Sequence, residues 1–213
     1  MAREMRCEMP SWEAVHDLAR ELAFRIVEDG FEPDLIVAIG RGGYPPGRLM
    51  ADYLHKKALT SFRIEHYAAG AEEKTTRARV LESLAEDLTG KRVLVVDDVN
   101  DTGKTLEAAL GFLRGRGAAE VRTAVLQEKD TSRFAADYVG GRVVEWRWII
   151  YPWARIEDLT RFIQRMDPRP GSVTEAAARL EELYDLRPPE RTLEDVFRLM
   201  PAARPVAEPG GAG

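Results

Sequence analysis

The sequence predicts an α/β fold, in which an open, mostly parallel sheet is flanked by helices and followed by a short helical C-terminal extension. Short apolar runs alternate with amphipathic segments through the first two thirds of the chain. The connecting turns are short and rich in glycine. With 213 residues, the chain can bury one sizeable core without disulfides.

The first half of the chain contains two helical patterns and two strand patterns. Ser11 can cap a helix that stops at Gly30. Its apolar residues recur at helical spacing: Val15, Leu18, Leu22 and Ile26. Residues 34–40 then form a buried strand, and RLMADYLHK has helical character. Residues 59–67, LTSFRIEHY, are rich in β-branched and aromatic residues and predict the next strand.

The periodic spacing of apolar residues is absent from the middle of the chain and returns after it. Residues 68–89 are polar and charged, with no convincing period over their first half. A loop of this length in a compact domain is either a misassigned element or a functional lid. KRVLVVDD then predicts a second buried strand, TLEAALGFLRGRG a helix and EVRTAVLQEK a third strand.

The C-terminal part differs in kind. The sequence predicts a domain at residues 1–167, a helical extension at 168–200 and a disordered tail at 201–213 that is rich in proline and glycine. SVTEAAARLEELYDL and TLEDVFRLM are two short amphipathic helices. Their apolar anchors either cover a subunit interface or pack on the parent domain; they are Leu180, Leu183, Val196 and Leu199.

The composition argues against a nucleic-acid-binding, membrane or secreted protein. A net charge of −5 gives no general attraction to nucleic acid or anionic membranes. The longest apolar runs, LIVAI and VLVV, are too short to span a bilayer, and the N-terminal residues lack the apolar core of a secretory signal. The single cysteine, Cys7, cannot form an internal bridge. We therefore expect a cytoplasmic protein.

Two segments partly match nucleotide-binding motifs, but each lacks a glycine that its motif requires. A Walker A loop needs a glycine five residues before the glycine of Gly-Lys-Thr, and Asp98 stands there. A carboxylate at that place would repel a triphosphate. The cluster that begins at Gly40 resembles GxGxxG but has Pro45 in place of the third glycine. Both interpretations are therefore excluded.

The same segment does suit a sugar phosphate. Residues 101–105, DTGKT, lie at a helix N-terminus, where backbone amides, a flexible glycine and two threonine hydroxyls can hold one phosphate monoester. Asp97 and Asp98 come just before, at the carboxyl end of a strand, where open α/β sheets bind ligands. Carboxylates there suit vicinal hydroxyls or a divalent metal. A sugar phosphate satisfies both halves.

VLVVDDVNDTGKTL, residues 93–106, resembles the phosphoribosyl-pyrophosphate (PRPP) signature of the type I phosphoribosyltransferases. The resemblance covers about residues 12–163 and implies the fold of that family. It assigns PRPP binding to the following residues of the signature: Asp97, Asp98, Thr102, Gly103, Lys104 and Thr105. It also implies that the turn Arg41-Gly42-Gly43 holds the pyrophosphate leaving group, with the guanidinium supplying paired donors.

The family also carries a flexible lid between these two motifs, where residues 68–89 fall. Closure of a lid would exclude water from a reaction through an oxocarbenium-like ribose carbon. Candidates for catalytic residues of the lid are Lys74, Thr75, Thr76 and Arg77.

AVLQEKDTSRFAADYV, residues 124–139, and EWRWIIYPWA, residues 145–154, resemble the xanthine, guanine and hypoxanthine branch of the family. In that branch a lysine after a strand donates to the purine 6-oxygen and an aromatic residue stacks on the base, and Lys129 and Trp148 match these places. Trp146, Trp148 and Trp153 lie close together, so some of them are expected to pack rather than contact a ligand, and Trp148 is the candidate for the base. The Ile149 backbone is expected to read the base edge. Lysine has donors but no acceptor, so it favours a 6-oxo over a 6-amino group.

One position departs from that pattern. The branch often has an acidic residue after Pro-Trp, whereas this chain has Ala154. Glu157 and Asp158 are nearby substitutes. If the acid assists a metal or positions the terminus, this chain does so by another residue.

The resemblance implies transfer of the 5-phosphoribosyl group from PRPP to a 6-oxopurine in purine salvage, by a homodimer or homotetramer. Mg²⁺ is the expected cofactor, with Asp98 as its protein contact, and Asp101 is the expected catalytic acid–base at purine N7. Adenine, orotate or uracil as the base, or a non-catalytic regulator that senses PRPP, are the alternatives.

Overall fold

The computed structural model describes residues 5–68, 76–81 and 84–200. In chain order, the strands and helices are β1 (Cys7–Glu8), α1 (Trp12–Glu28), β2 (Leu35–Gly40), α2 (Tyr44–Tyr53), β3 (Leu59–Ala68), β4 (Thr76–Val80), β5 (Arg92–Asn100), α3 (Lys104–Gly115), β6 (Glu120–Lys129), β7 (Tyr138–Val143), β8 (Trp148–Ile149), α4 (Arg155–Arg165), α5 (Val173–Tyr184) and α6 (Glu190–Leu199). They form two compact units, residues 12–146 and residues 5–11 with 147–200.

The larger unit is built on one sheet. Its six described strands have the order β4-β3-β2-β5-β6-β7, and every neighbouring pair is parallel except β3 and β4. This confirms the predicted fold class. Helix α3 packs on one face, in a core with Val37 and Ile39 of β2. Helix α2 covers the other face, where Gly47 lies against Ala38, since alternate residues of a strand point to opposite faces.

The order of the strands places three loops at one edge. The chain runs from β2 to β3 on one side, whereas β5 and β6 lie on the other side of β2. The connections therefore diverge between β2 and β5, and ligands bind at such a point, beyond the carboxyl ends of the strands. The turns after β2, β5 and β6 all leave from this edge.

A strand occupies part of the segment in which the sequence predicts a lid loop. Strand β3 continues to Ala68, and Thr76–Val80 pair with it in antiparallel register as β4. A short strand with no clean apolar alternation gives little periodic signal, because much of its stability comes from the ladder to its neighbour. Of the lid candidates, Thr76 and Arg77 lie on β4, while Lys74 and Thr75 lie outside the described residues.

The smaller unit has its own core. Strands β1 and β8 pair in parallel, with Cys7 opposite Trp148. Helices α4, α5 and α6 pack together around Leu159, Phe162 and Tyr184. The two predicted tail helices are confirmed as α5 and α6, and Ser172 caps α5 by accepting from the amide of Glu175 at 3.2 Å. The predicted tail at 201–213 lies outside the described residues.

The apolar anchors of the tail helices pack within their own chain. Leu180, Leu183 and Val196 are buried in the core of the smaller unit, whereas Leu199 is 66% exposed. Of the two alternatives that the sequence left open, packing on the chain's own fold therefore accounts for three of the four residues.

This packing predicts unequal effects of two identical substitutions. Leu180→Ala is expected to lower the free energy of unfolding by about 2–5 kcal/mol, because it leaves a cavity in a fully buried site. Leu199→Ala removes the same atoms from an exposed site and should change it by less than about 0.5 kcal/mol. Urea unfolding of both variants measures the difference, and equal losses would contradict the assignment.

Two further findings concern the helices and the single cysteine. Among the helices that the structure describes, none is long and apolar enough to cross a membrane. Burial raises the pKa of the Cys7 thiol to about 12, and the charge of Asp158 adds to the shift. At neutral pH this thiol therefore stays protonated and reacts slowly.

Candidate active site

The turn after β2 lies against the end of β5. A Cβ atom added to Gly42 would meet the Oδ2 atom of Asp98 at 2.4 Å and its Cγ atom at 2.6 Å. The two segments that the sequence assigns to pyrophosphate and to ribose are thus in direct contact, and glycine at position 42 is what allows it.

Gly43 is required for a different reason. A Cβ atom there would lie 2.4 Å from the carbonyl oxygen of Val96 on β5 and 2.7 Å from that of Ile39 on β2. Its amide donates to the Ile39 carbonyl at 2.8 Å, which closes the turn, and α2 begins at the next residue. The turn therefore rests on the backbone of two central strands.

The carboxylates at the end of β5 are arranged by local hydrogen bonds. The amide of Asp98 donates to Oδ1 of Asp97 at 3.0 Å, and the amide of Val99 donates to Oδ1 of Asp98 at 2.8 Å. Asp97 is only 8% exposed. Burial, and next the charge of Asp98, raise the pKa of the Asp97 carboxyl well above its usual value. Such a pair favours a proton or a cation.

The start of α3 forms the opposite side of the β5 loop. Gly103 precedes the helix with φ of +88°, and a Cβ atom there would meet the Cβ atom of Phe134 at 2.4 Å. The first N–H groups of any α-helix have no acceptor within the helix, and they bind anions. Lys104 and Thr105 are the first residues of α3, so DTGKT lies at a helix N-terminus as the sequence predicts. Binding of an anion there stays a prediction.

Asp101 lies between the β5 loop and the end of β6. Lys129 Nζ donates to its Oδ2 atom at 2.9 Å, Thr131 Oγ1 to its Oδ1 atom at 3.2 Å and Trp146 Nε1 to Oδ1 at 3.3 Å. The Lys129 side chain is only 3% exposed and that of Asp101 is 36% exposed. A buried ammonium needs such a partner. The structure thus brings together Asp101 and Lys129, two residues that the sequence places 28 positions apart.

A buried polar network that sequence reasoning missed holds the loop after β6. Asn100 Nδ2 donates to Oε2 of Glu128 at 2.9 Å and to the carbonyl of Phe134 at 2.6 Å. The amide of Ala136 donates to the same carboxylate at 2.8 Å. Because Asn100 and Glu128 are both almost fully buried, the network fixes the loop that lies against Gly103.

The comparison with known families agrees with this geometry. The profile described as a phosphoribosyl transferase domain matches residues 11–154, more than half of the chain. The chain belongs to this family. The match includes the turn after β2, the β5 loop and the end of β6.

Several related proteins are named as phosphoribosyltransferases of purine bases. The chain is similar to a hypoxanthine-guanine phosphoribosyltransferase of Schizosaccharomyces pombe, with 29% identity and an alignment that covers 67% of this chain and 86% of the relative. It is also similar to a xanthine-guanine phosphoribosyltransferase of a Ruegeria species, with 32% identity and an alignment that covers 67% of this chain and 82% of the relative.

Among solved structures, the crystal structure of a purine phosphoribosyltransferase from Pyrococcus horikoshii is similar to this one. The TM-score is 0.61 at 30% sequence identity, and the match covers 70% of this chain and 94% of the other. The likeness supports both the family and the fold.

The two residues predicted to stack on the base and read its edge belong to the smaller unit of this phosphoribosyl transferase chain. Trp148 Nε1 donates to Oδ2 of Asp158 at 3.1 Å, and the Arg161 guanidinium lies 4.7 Å from the centroid of the Trp148 ring. Ile149 follows on β8 and is buried. Trp148 is thus oriented by its own unit, and its contact with a base stays a prediction.

The other two tryptophans of this segment differ from each other. Trp153 stacks on Tyr151, with ring centroids 4.8 Å apart and an interplanar angle of 2°, as expected for packing. Trp146 instead contacts Asp101 and Lys129 and is 40% exposed. Asp158, named from the sequence as a substitute acid, accepts from the Trp148 indole and pairs with Arg161 at 2.9 Å.

The pKa of Asp97 gives a prediction on stability. A carboxyl whose folded pKa is raised stabilises the fold below its unfolded pKa, near 3.8, and this contribution is lost as the pH rises through the folded value. Without divalent metal, Asp97→Asn should therefore have a higher melting temperature than the wild type at pH 7, and the difference should shrink as the pH falls toward about 4. Thermal unfolding across this range tests it, and a variant less stable than the wild type at pH 7 would contradict it.

Proposed function

We propose that the protein transfers the 5-phosphoribosyl group from PRPP to a 6-oxopurine base, releasing pyrophosphate and forming a nucleoside 5′-monophosphate in purine salvage. One observation carries the proposal. The buried Lys129 ammonium meets the Asp101 carboxylate at 2.9 Å, beside the loop that runs from β5 into α3. Lys129 can donate to an oxo group of the base, and Asp101 can act as the acid–base group. Both lie next to the loops expected to bind PRPP.

PRPP would occupy the edge at which β2 and β5 end. Arg41, Gly42 and Gly43 bind the pyrophosphate, because their glycines allow a close approach of the backbone and the guanidinium supplies paired donors. Asp97 and Asp98 bind the ribose hydroxyls. Residues 102–105 bind the 5′-phosphate at the start of α3, so that binding of a non-reacting group orients the ribose carbon.

The base would be selected beside Asp101. Lys129 donates to the 6-oxygen, and a 6-amino group cannot accept that hydrogen bond. Asp101 faces N7, where it takes or returns a proton as charge develops on the base during formation of the bond to ribose. When the base binds, Lys129 therefore donates to the 6-oxygen in addition to, or in place of, its hydrogen bond to Asp101. The roles of Trp148 and Ile149 follow from the family resemblance.

Mg²⁺ fits the carboxylates at the end of β5. Asp97 and Asp98 are adjacent carboxylates and offer the oxygen ligands that Mg²⁺ prefers. Over residues 5–68, 76–81 and 84–200, no group of three or more His, Cys, Asp or Glu side chains could hold a metal. Asp98 would hold Mg²⁺, and PRPP oxygens and water would supply the other ligands, as is common for this ion. Bound Mg²⁺ would neutralise the pyrophosphate leaving group.

The proposal is tested by pyrophosphate release from PRPP and Mg²⁺, with hypoxanthine, guanine, xanthine, adenine, orotate and uracil supplied singly. Turnover confined to the first three bases is expected. Turnover with adenine or a pyrimidine would overturn the role of Lys129. If PRPP bound without turnover, and labelled nucleic acid shifted in a salt-dependent way, the chain would be a regulator that senses PRPP.

A lid, a cytoplasmic location and an oligomeric assembly complete the proposed enzyme. The segment predicted as a lid, residues 68–89, includes β4 and would exclude water from the ribose carbon. The enzyme works in the cytoplasm as a homodimer or homotetramer. Light scattering gives the mass of the assembly, and a monomer of 23.9 kDa would contradict the oligomer.

A further inference from the structure

Trp146 contacts both residues proposed to act on the base, and the mechanism above does not use it. Its indole N–H donates to Oδ1 of Asp101 at 3.3 Å, and Lys129 Nζ lies 4.6 Å from its ring centroid. The Trp146 side chain is 40% exposed, and both of these partners are charged.

The register of the sheet explains its place. Val143, the last residue of β7, lies opposite Lys129, and the amide of Asp130 donates to the Val143 carbonyl at 3.1 Å. Residues 144–146 therefore leave the sheet at the same edge as the end of β6. This brings the Trp146 ring over the lysine that ends its neighbouring strand.

We propose that Trp146 is a positioning residue of the phosphoribosyl transfer site, whose N–H orients Asp101 and whose ring holds Lys129. The inference rests on the proposed function and adds to it two separable roles for one side chain. The N–H role concerns the step in which a proton moves. The ring role concerns recognition of the base.

The first role follows from the hydrogen bonds of Asp101. Lys129 donates to Oδ2, while Trp146 and Thr131 donate to Oδ1, so both oxygens are held and the plane of the carboxylate is set. Without the indole N–H, the described donors leave Thr131 alone on Oδ1. A less restrained carboxylate meets N7 in a productive orientation less often, which lowers kcat.

The second role follows from the burial of Lys129. Its side chain is 3% exposed, and an ammonium over the face of an indole is attracted most strongly where water is excluded. The ring therefore holds the ammonium in place for the 6-oxygen. Loss of the ring raises the KM for the base, whereas loss of the N–H alone does not.

Two variants separate the roles. Trp146→Phe keeps a ring and removes the N–H, so we expect kcat to fall by about three- to tenfold with little change in the KM for hypoxanthine. Trp146→Leu removes both, so the KM should also rise by about three- to tenfold. Trp12→Phe, at an exposed position at the start of α1, is the matched control and should leave both constants unchanged.

The same kcat and KM in all three variants would overturn the inference. So would a loss of kcat in Trp146→Phe that comes with a lowered melting temperature, because that pattern marks a structural role. A readout without turnover is the indole N–H resonance of Trp146, assigned by its loss in Trp146→Phe. It should shift in Asp101→Asn, and an unmoved resonance would also overturn the inference.

These readouts separate the inference from the proposed function. If the wild type turned over none of the bases, the proposed function would fail, and the kinetic roles of Trp146 with it. The indole resonance would still decide whether the contact with Asp101 exists. If the wild type turned over 6-oxopurines and Trp146→Phe matched it, the proposed function would stand and the inference would fail.

Discussion

Replacement of Asp101 by asparagine is expected to lower kcat by about 10²- to 10⁴-fold, the usual worth of a general acid–base group. The amide cannot take the N7 proton, yet its oxygen can still accept from Lys129, which donates to Asp101 in the wild type at 2.9 Å. The KM for PRPP should change little, because residues 102–105 and the turn after β2 are untouched. Steady-state kinetics with hypoxanthine measure both constants.

Asp130→Asn is the control for this variant. Asp130 is two residues beyond the buried Glu128, directly after Lys129, and is exposed, so the same chemical change there should leave kcat within about twofold. A kcat for Asp101→Asn that is close to that of Asp130→Asn would remove Asp101 from the proton transfer.

The second large effect is expected from Gly42→Ala. The new Cβ atom would lie 2.4 Å from Oδ2 of Asp98, so the carboxylate must move. Displacement of a ligand-positioning group by about 1 Å can cost about 10²-fold, and we expect a loss of this order in kcat/KM for PRPP. The fold should keep its stability, because the clash is with the end of a side chain.

Gly43→Ala is the matched change one residue later. Its Cβ atom would meet the carbonyl oxygens of Val96 and Ile39, which belong to the backbone of two central strands and cannot move aside. We expect a loss of about 1–3 kcal/mol or more in the free energy of unfolding. Thermal unfolding with kinetics on both variants tests the pair. Equal stability of Gly42→Ala and Gly43→Ala would contradict the account.

The strands and helices with strong periodicity were predictable from the sequence. The buried strands β2 and β5 and the helices α1 and α3 were found because apolar spacing, caps and terminal glycines agree there. Strand β4 was missed because it is short and lies at the sheet edge. Strand β7, with two glycines, and helix α4, which follows a tryptophan-rich segment, gave weaker signals and were not assigned.

The positions of the two loops proposed to bind PRPP were predictable because the residues of each loop are contiguous in the sequence. DTGKT at the start of α3 and the glycines after β2 are local patterns, whose placement follows from the carboxyl ends of parallel strands. The contact between Gly42 and Asp98 was not predictable, because it depends on β2 and β5 being neighbours in the sheet.

The contacts of Asp101 could not be predicted from the sequence, because they join residues from different strands. Lys129 was found through a family resemblance, but its ion pair with Asp101 needs the register between β5 and β6. The role of Trp146 was not predicted, because three tryptophans lie within eight residues and a sequence pattern cannot tell which of them faces a charge. Asn100 at the end of an apolar strand was a visible signal, since a buried amide needs a partner, here Glu128.

The most direct test of the central claim is the ratio of kcat/KM for hypoxanthine to that for adenine, measured as nucleoside 5′-monophosphate formed from PRPP and Mg²⁺. If a buried Lys129 beside Asp101 selects the base, hypoxanthine is favoured by a factor on the order of 10⁴ or more, because a site built around a hydrogen bond rejects a base that cannot make it. Equal use of the two bases, or preference for adenine, would contradict the account.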